Sequence, residues 1–361
     1  MQMEERIKRI EEQFKQMVQK DIKVKNAHLL VHSEKLDIHL NLAEGKTGNI
    51  SAHPAQPYYI ASVGKLFTSV LIAMLVERGE LSFEDKICAY LDADLLDNLH
   101  VYKGTDYTNK IRIKHLLNHK SGLHDFYDDK PKQGKALMDF VFEEPSRFWK
   151  PEEVIQWANA HLTPHFPPGK GFHYSDSNYA LLGLTIEKIT GKPFQDVLKE
   201  FIFAPLGMNH SYLLQFSEPI EKCEFPMADF FIRNKNMKDY RSYSIDYAGG
   251  GIVAPGEDLL KFMKALVKYE LINETTLQQM KTWEKFRLGI DYGYGMMKFK
   301  SVPLMMPKKM ENMWGNAGIT GTFMFYHPGL DTYLIGGLNQ FRYNRKSFML
   351  MFKVVNILSK V

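Results

Sequence analysis

One stretch constrains this chain more than any other: Tyr58-Tyr59-Ile60-Ala61-Ser62-Val63-Gly64-Lys65-Leu66-Phe67-Thr68-Ser69-Val70-Leu71-Ile72-Ala73-Met74-Leu75. Its apolar run predicts a buried helix, which a protein must be built around. Ser62 and Lys65 are three residues apart, so both side chains share one helical face. Lys65 is therefore expected to reach the Ser62 hydroxyl, and burial to strip water from its ammonium and lower its pKa from about 10.4. The helix N-terminus contributes partial positive charge and free N–H groups that favour an alkoxide or an oxyanion beside Ser62. A Ser-x-x-Lys tetrad arises about once or twice by chance in a chain of this length. Ser62 is, however, the one serine here with a lysine at that offset, and it sits where extended chain gives way to helix. Its chemical partners have to come from elsewhere.

A chain of 361 residues can bury a large core, in one big domain or two packed together. The net charge of +4 is spread over interleaved acidic and basic residues, which leaves no patch for nucleic acid or anionic lipid. Cys88 and Cys223 have no metal-ligand or CxxC spacing and read as free thiols. The charged start, Met1 to Phe14, does not resemble a signal peptide, and no apolar run reaches the ~20 residues of a membrane span. A cytoplasmic protein is expected.

In chain order, Ile7, Ile10, Phe14, Met17 and Val18 form the stripe of an amphipathic helix over 3–20. Residues 27–31 and 36–42 read as two strands joined by a turn. Further helices are expected over 111–122, 150–161, 180–190, 194–203, 259–269 and 343–358, with strands over 293–299, 322–326 and 332–337. His115, His119 and His124 invite a metal reading, because a spacing of four shares a helix face. With no acidic ligand among them they read as structural histidines, and no metal is expected. Strands at both ends and helices between suggest one sheet built from residues 1–95 and 245–361, with a mainly helical region, 96–244, inserted.

Several segments, taken together and in order, resemble the serine-reactive penicillin-recognising family, in the branch of class C β-lactamases, D-Ala-D-Ala carboxypeptidases and family VIII esterases. They are Ile60 to Lys65, His115 to Leu123, Pro168-Gly169 with Phe172 to Tyr179, Pro205 to Met208, Ala248 to Asp258, and Gly315 to Thr322. The resemblance implies an α/β plus all-α architecture of the β-lactamase/transpeptidase type, an antiparallel sheet flanked by helices. It implies Ser62 as the acylated nucleophile, Lys65 as its activating partner and Tyr174 as the residue exchanging protons with Ser62 and the leaving group. A phenol near ~10 is a useful base at neutral pH only if a cation such as Lys65 supports its phenolate. Gly315 to Gly321 resembles the family's third motif. There Asn316 and Gly318 would border the substrate, and the Ile319 N–H with that of Ser62 would form an oxyanion hole.

Two departures shape the expected substrate. Asn316 and Ala317 replace the cation and hydroxyl with which much of the family holds a substrate carboxylate. Asp176 stands where an asparagine usually donates to the substrate amide, and an ionised aspartate only accepts. Both point away from acidic peptides and β-lactams. The expectation is an acyl-enzyme serine hydrolase of small esters, amides or short peptides, needing no metal or organic cofactor. Alternatives are a β-lactamase or D-amino-acid peptidase, where Asp176 would serve an amine, and a catalytically silent ligand-binding relative.

Overall fold

The computed structural model describes residues 3–304 and 306–359. Its centre is a nine-stranded antiparallel sheet in the order 284–287, 290–292, 297–299, 314–317, 323–327, 332–337, 26–33, 38–47, 50–51. The early hairpin joins the late meander at one seam, where Asn26–Ser33 pairs with Thr332–Gly337 in a register that sets Leu30 opposite Ile335. Strand side chains alternate between faces, and here both faces are covered. Leu29, Val31, Phe323, Phe325 and Leu334 enter one core; Leu30, Met324, Tyr333 and Ile335 enter the other. That is why Asn26–Ser33 carries a run of apolar residues rather than a polar alternation.

The first core is closed by the two terminal helices, Met3–Lys20 and Asn344–Leu358, which pack on each other and on the sheet. Ile10, Phe14 and Val18 of the expected stripe are buried there, and Arg6 Nη1 donates to the Leu358 carbonyl at 3.2 Å. The amphipathic N-terminal helix thus covers its own sheet. The second core contains the helix Gly64–Glu77, in which Gly64 to Ala73 and Leu75 are all buried. Against it lies Asp176–Thr190, which begins four residues before the expected Ala180. Its early start draws Asp176, favourably placed for the helix dipole, into the first turn.

A small sheet sets the register of the nucleophile segment. Tyr58–Tyr59 pairs with Ile252–Ala254, which pairs in turn with Tyr212–Leu213, and the Ile60 N–H donates to the Ile252 carbonyl at 3.0 Å. The expected helix over 194–203 divides into Phe194–Leu198 and a wider turn over Lys199–Phe203. Glu284–Arg287, Ile290–Tyr292 and Trp314–Ala317 are strands that the residue pattern did not mark; each is short and has a polar or glycine residue at its centre. Cys88 and Cys223 are both free. Among the described residues no helix is long and apolar enough to cross a membrane.

Candidate active site

Ser62 lies in a single 3₁₀ turn, Ala61–Val63, that feeds directly into Gly64–Glu77. The turn is gripped from two sides. A Cβ on Gly250 would lie 2.7 Å from the Ala61 carbonyl carbon, and one on Gly318 would lie 2.6 Å from the Ala61 Cβ, so both neighbours need glycine to approach this closely. Ala61 itself is held at φ +50°, a left-handed conformation that a non-glycine residue rarely adopts and that commonly marks a functional turn. Thr322 Oγ1 donates to the Ile60 carbonyl at 2.7 Å, tying the turn to the sheet.

Lys65 is completely buried, and each proton of its ammonium has an acceptor: Ser62 Oγ at 3.2 Å, the Gly249 carbonyl at 2.8 Å, and Asp176 Oδ1. The expected fall in its pKa does not occur. Burial does disfavour the charge, but the negative charge of Asp176 first, then Tyr174 and Asp246, outweighs it and raises Lys65 above its ordinary value. Lys65 is a saturated cation, and its donation to Ser62 Oγ leaves the hydroxyl proton to point elsewhere. Asp176, expected among the substrate contacts, lines the cavity with one carboxylate oxygen held by Lys65.

Tyr174 sits over the pair, with Lys65 Nζ 5.1 Å from its ring centroid. Burial pushes its phenol up to about 12, against the opposing pull of Lys65 and of hydrogen bonds from Ser62 and Lys65. Its ring stacks on His119 at 4.2 Å between centroids and meets the edge of Tyr292. His119 Nδ1 accepts from the Ser175 N–H at 3.1 Å and is 3.2 Å from Asn178 Nδ2, while burial and the Lys65 charge hold the imidazole neutral. The three histidines singled out in the sequence do not converge. His115 accepts from Arg112 N, and His124 lies beside Asn159 and Ser177.

A cavity of about 440 Å³ opens over Ser62, lined also by Tyr174, Asp176, Ala317 and Ile319. Ile319 accepts from the Arg342 N–H through its carbonyl, while its own N–H has no partner among the described residues, which suits an oxyanion donor. Two of the expected substrate contacts fall outside the cavity wall. Asn316 is fully buried, its amide N–H donating to the Gly295 carbonyl and its Oδ1 accepting from the Ala317 N–H, so it braces the strand. Gly318 is bonded at both ends, to Thr322 O and from Asn344 Nδ2, and acts by its smallness.

The cavity has two characters. One side is apolar, with Phe286, Ile290, Met297, Phe341 and Phe348. The rest of the lining carries Asp125, Asp128 and Asp246 among Tyr59, Tyr127 and Tyr243, and the arginines Arg233, Arg287 and Arg342. Asp246 accepts from the Tyr59 hydroxyl, and burial followed by the Asp176 charge pushes its carboxyl up to about 6. Asp125 accepts the Asp176 N–H at 2.9 Å and is raised well above the usual carboxylate range by the same two causes. Sequence reasoning missed this acidic side. Its one local trace is that Asp246 lies two residues before the glycine-rich Ala248 to Gly251.

A family model described as Beta-lactamase matches residues 29–350. Penicillin-binding protein 4* of Bacillus subtilis (strain 168) is 28% identical over 254 residues, covering 66% of this chain and 51% of the relative. A D-aminopeptidase of Brucella anthropi is 30% identical over 164 residues, 45% of this chain and 28% of the relative. The chain thus spans about half, or less, of the length of these curated relatives. The solved D-amino acid amidase of Ochrobactrum anthropi SV3 superposes with a TM-score of 0.76 at 21% identity, covering 98% of this chain and 100% of the amidase, a likeness of fold.

Proposed function

The chain belongs to the Beta-lactamase family, and from that premise we propose that it is a serine hydrolase working through an acyl-enzyme on Ser62, with a small ester or amide as substrate. The observation that carries this reading is the contact of the buried Lys65 ammonium with Ser62 Oγ at 3.2 Å, beneath Tyr174, at the wall of a cavity. Lys65 already holds three acceptors, so it stabilises charge rather than removing a proton. Tyr174, raised to about 12, is a poor source of free phenolate at neutral pH. The balanced step is a relay. Ser62 Oγ attacks the acyl carbon as its proton passes to Tyr174 Oη, and the phenol proton passes to the departing oxygen or nitrogen. Water then reverses the path: its proton moves through Tyr174 to Ser62 as the ester bond breaks and the acid leaves. The Ile319 N–H, with that of Ser62, carries the oxyanion in both steps.

A second reading narrows the substrate to one bearing an amine. The aspartates on one side of the cavity support it, since a buried carboxylate lowers its own cost by meeting a cation. The D-aminopeptidase and D-amino acid amidase among the similar proteins agree with it. The test is turnover of p-nitrophenyl butyrate, a D-amino-acid p-nitroanilide and a chromogenic cephalosporin, with Ser62→Ala as control and intact mass after fluorophosphonate treatment. A single adduct lost in Ser62→Ala, with ester or anilide turnover exceeding the cephalosporin's, is expected. Wild-type protein that gains no adduct would be a silent binder and would end the reading.

A further inference from the structure

Outside the residues that line the cavity, three side chains that the proposed chemistry does not use bring their ligand atoms together. Asp129 Oδ2 lies 2.7 Å from His165 Nε2 and 3.2 Å from His173 Nε2, and all three atoms fall within 4.8 Å of one another. We propose that Asp129, His165 and His173 form a binding site for one divalent transition-metal ion of the zinc type. The inference is independent of the Ser62 reading.

The donor set is two imidazoles and one carboxylate, a combination suited to zinc, nickel, copper or iron and unsuited to calcium or magnesium. Four ligands at roughly 2.0–2.1 Å in a tetrahedron stand about 3.3 Å apart. The observed separations from the carboxylate oxygen, 2.7 and 3.2 Å, are shorter than that by about 0.6 and 0.1 Å. Without a metal, one carboxylate oxygen accepts both Nε2–H groups and the Asp125 N–H, the last at 2.8 Å. On binding, the ring protons sit on Nδ1, the Nε2 lone pairs face the ion, and water takes the fourth position. The rings stack at 3.6 Å between centroids with 29° between planes, so binding splays them about the side-chain bonds. Side-chain exposures of 36% for His165 and 25% for His173 leave room for that motion and a way in.

The backbone beneath these side chains is pinned, as a metal site requires. His165 N donates to Gly122 O at 2.8 Å, His173 N to His119 O at 3.0 Å, and Asp129 N to Asp125 O at 3.1 Å. Pro167 and Pro168, with fixed φ, hold the turn between the two histidines. The sequence hides the cluster because His165 and His173 are eight apart across a turn while Asp129 comes from another loop. A cation here would clamp the segment ending at Tyr174 to the loop whose Asp125 holds the Asp176 N–H.

The test uses the full chain stripped with chelator and titrated with zinc sulfate by calorimetry, alongside thermal unfolding. One ion per chain and a higher unfolding temperature at saturation are expected. His165→Ala and His173→Ala should each weaken binding by more than the roughly 10–100-fold that loss of a supporting partner costs, while Cys88→Ser and Cys223→Ser leave it unchanged. Absence of saturable binding, or binding that survives the double histidine variant, overturns the proposal. If the histidine variants do not fold, the cobalt form of the wild-type protein decides: intense four-coordinate visible bands support the site, and the weak spectrum of the hydrated ion refutes it.

Discussion

Lys65 donates to a carboxylate that lies 111 residues further along the chain, and the two side chains are 0% and 10% exposed. The pair explains why a fully buried lysine remains charged. Its folded pKa is raised, so the folded state holds this proton more tightly than the unfolded chain does. The resulting stability is fully present below the unfolded value of about 10.4 and is lost as pH rises through the folded one. Asp176→Asn should therefore cost on the order of 3 kcal/mol through neutral pH, the usual cost of stranding a buried charge. The deficit should shrink above about pH 10.4. Urea unfolding of both proteins at pH 8 and at pH 11 measures it; equal stabilities at pH 8 would show that the pair holds nothing together.

Tyr174→Phe keeps the ring that stacks on His119 and removes only the hydroxyl above Ser62. A proton relay through that oxygen predicts a fall in kcat of about 10²–10⁴-fold, with folding unchanged by circular dichroism. Removal of the nucleophile by Ser62→Ala should cost at least as much, on the order of 10⁴-fold or more. A Tyr174→Phe enzyme within tenfold of wild type would transfer the proton role elsewhere.

What the sequence revealed and what it concealed divide along the range of the contacts. Ser62 and Lys65 are neighbours on one helical turn, so their meeting was legible from spacing alone. Tyr174 was legible as part of a motif. The protonation of Lys65 was not, because burial and a distant carboxylate act on it with opposite signs, and only the folded distance decides. The burial of Asn316 was hidden for a related reason: neighbouring strand residues face opposite ways, and which of Asn316 and Ala317 meets the cavity depends on pairing with Phe323–His327. Asp246 was missed because the Tyr59 hydroxyl that holds it lies 187 residues away.

Gly318 is where sheet and nucleophile turn come closest. An added Cβ would stand 2.2 Å from Thr322 Oγ1, 2.6 Å from the Ala61 Cβ and 2.8 Å from the Ile60 carbonyl. Gly318→Ala must therefore push the strand end, with the Ile319 N–H, away from Ser62. The expected result is a loss of kcat of about 10²–10³-fold, the cost of losing one oxyanion donor, and overpacking of about 1–3 kcal/mol. Kinetics and thermal unfolding read the two effects separately. Full activity would place the oxyanion elsewhere.

Asp246 offers the sharpest separation between an amine-bearing substrate and a neutral one. Its carboxyl is pushed up to about 6, so it gains its charge as pH rises through that value. An α-amine stays protonated up to about 7.7–8. Between these limits carboxylate and ammonium are both charged, so the ratio of kcat/KM for a D-amino-acid anilide over its N-acetyl counterpart should climb from pH 5 to 7. It should fall again as the amine deprotonates. Asp246→Asn cannot ionise and should flatten the climb, leaving the N-acetyl substrate's profile unaltered. A ratio that ignores pH in the wild-type enzyme, or that keeps its shape in Asp246→Asn, would mean that the acidic side of the cavity does not read the amine.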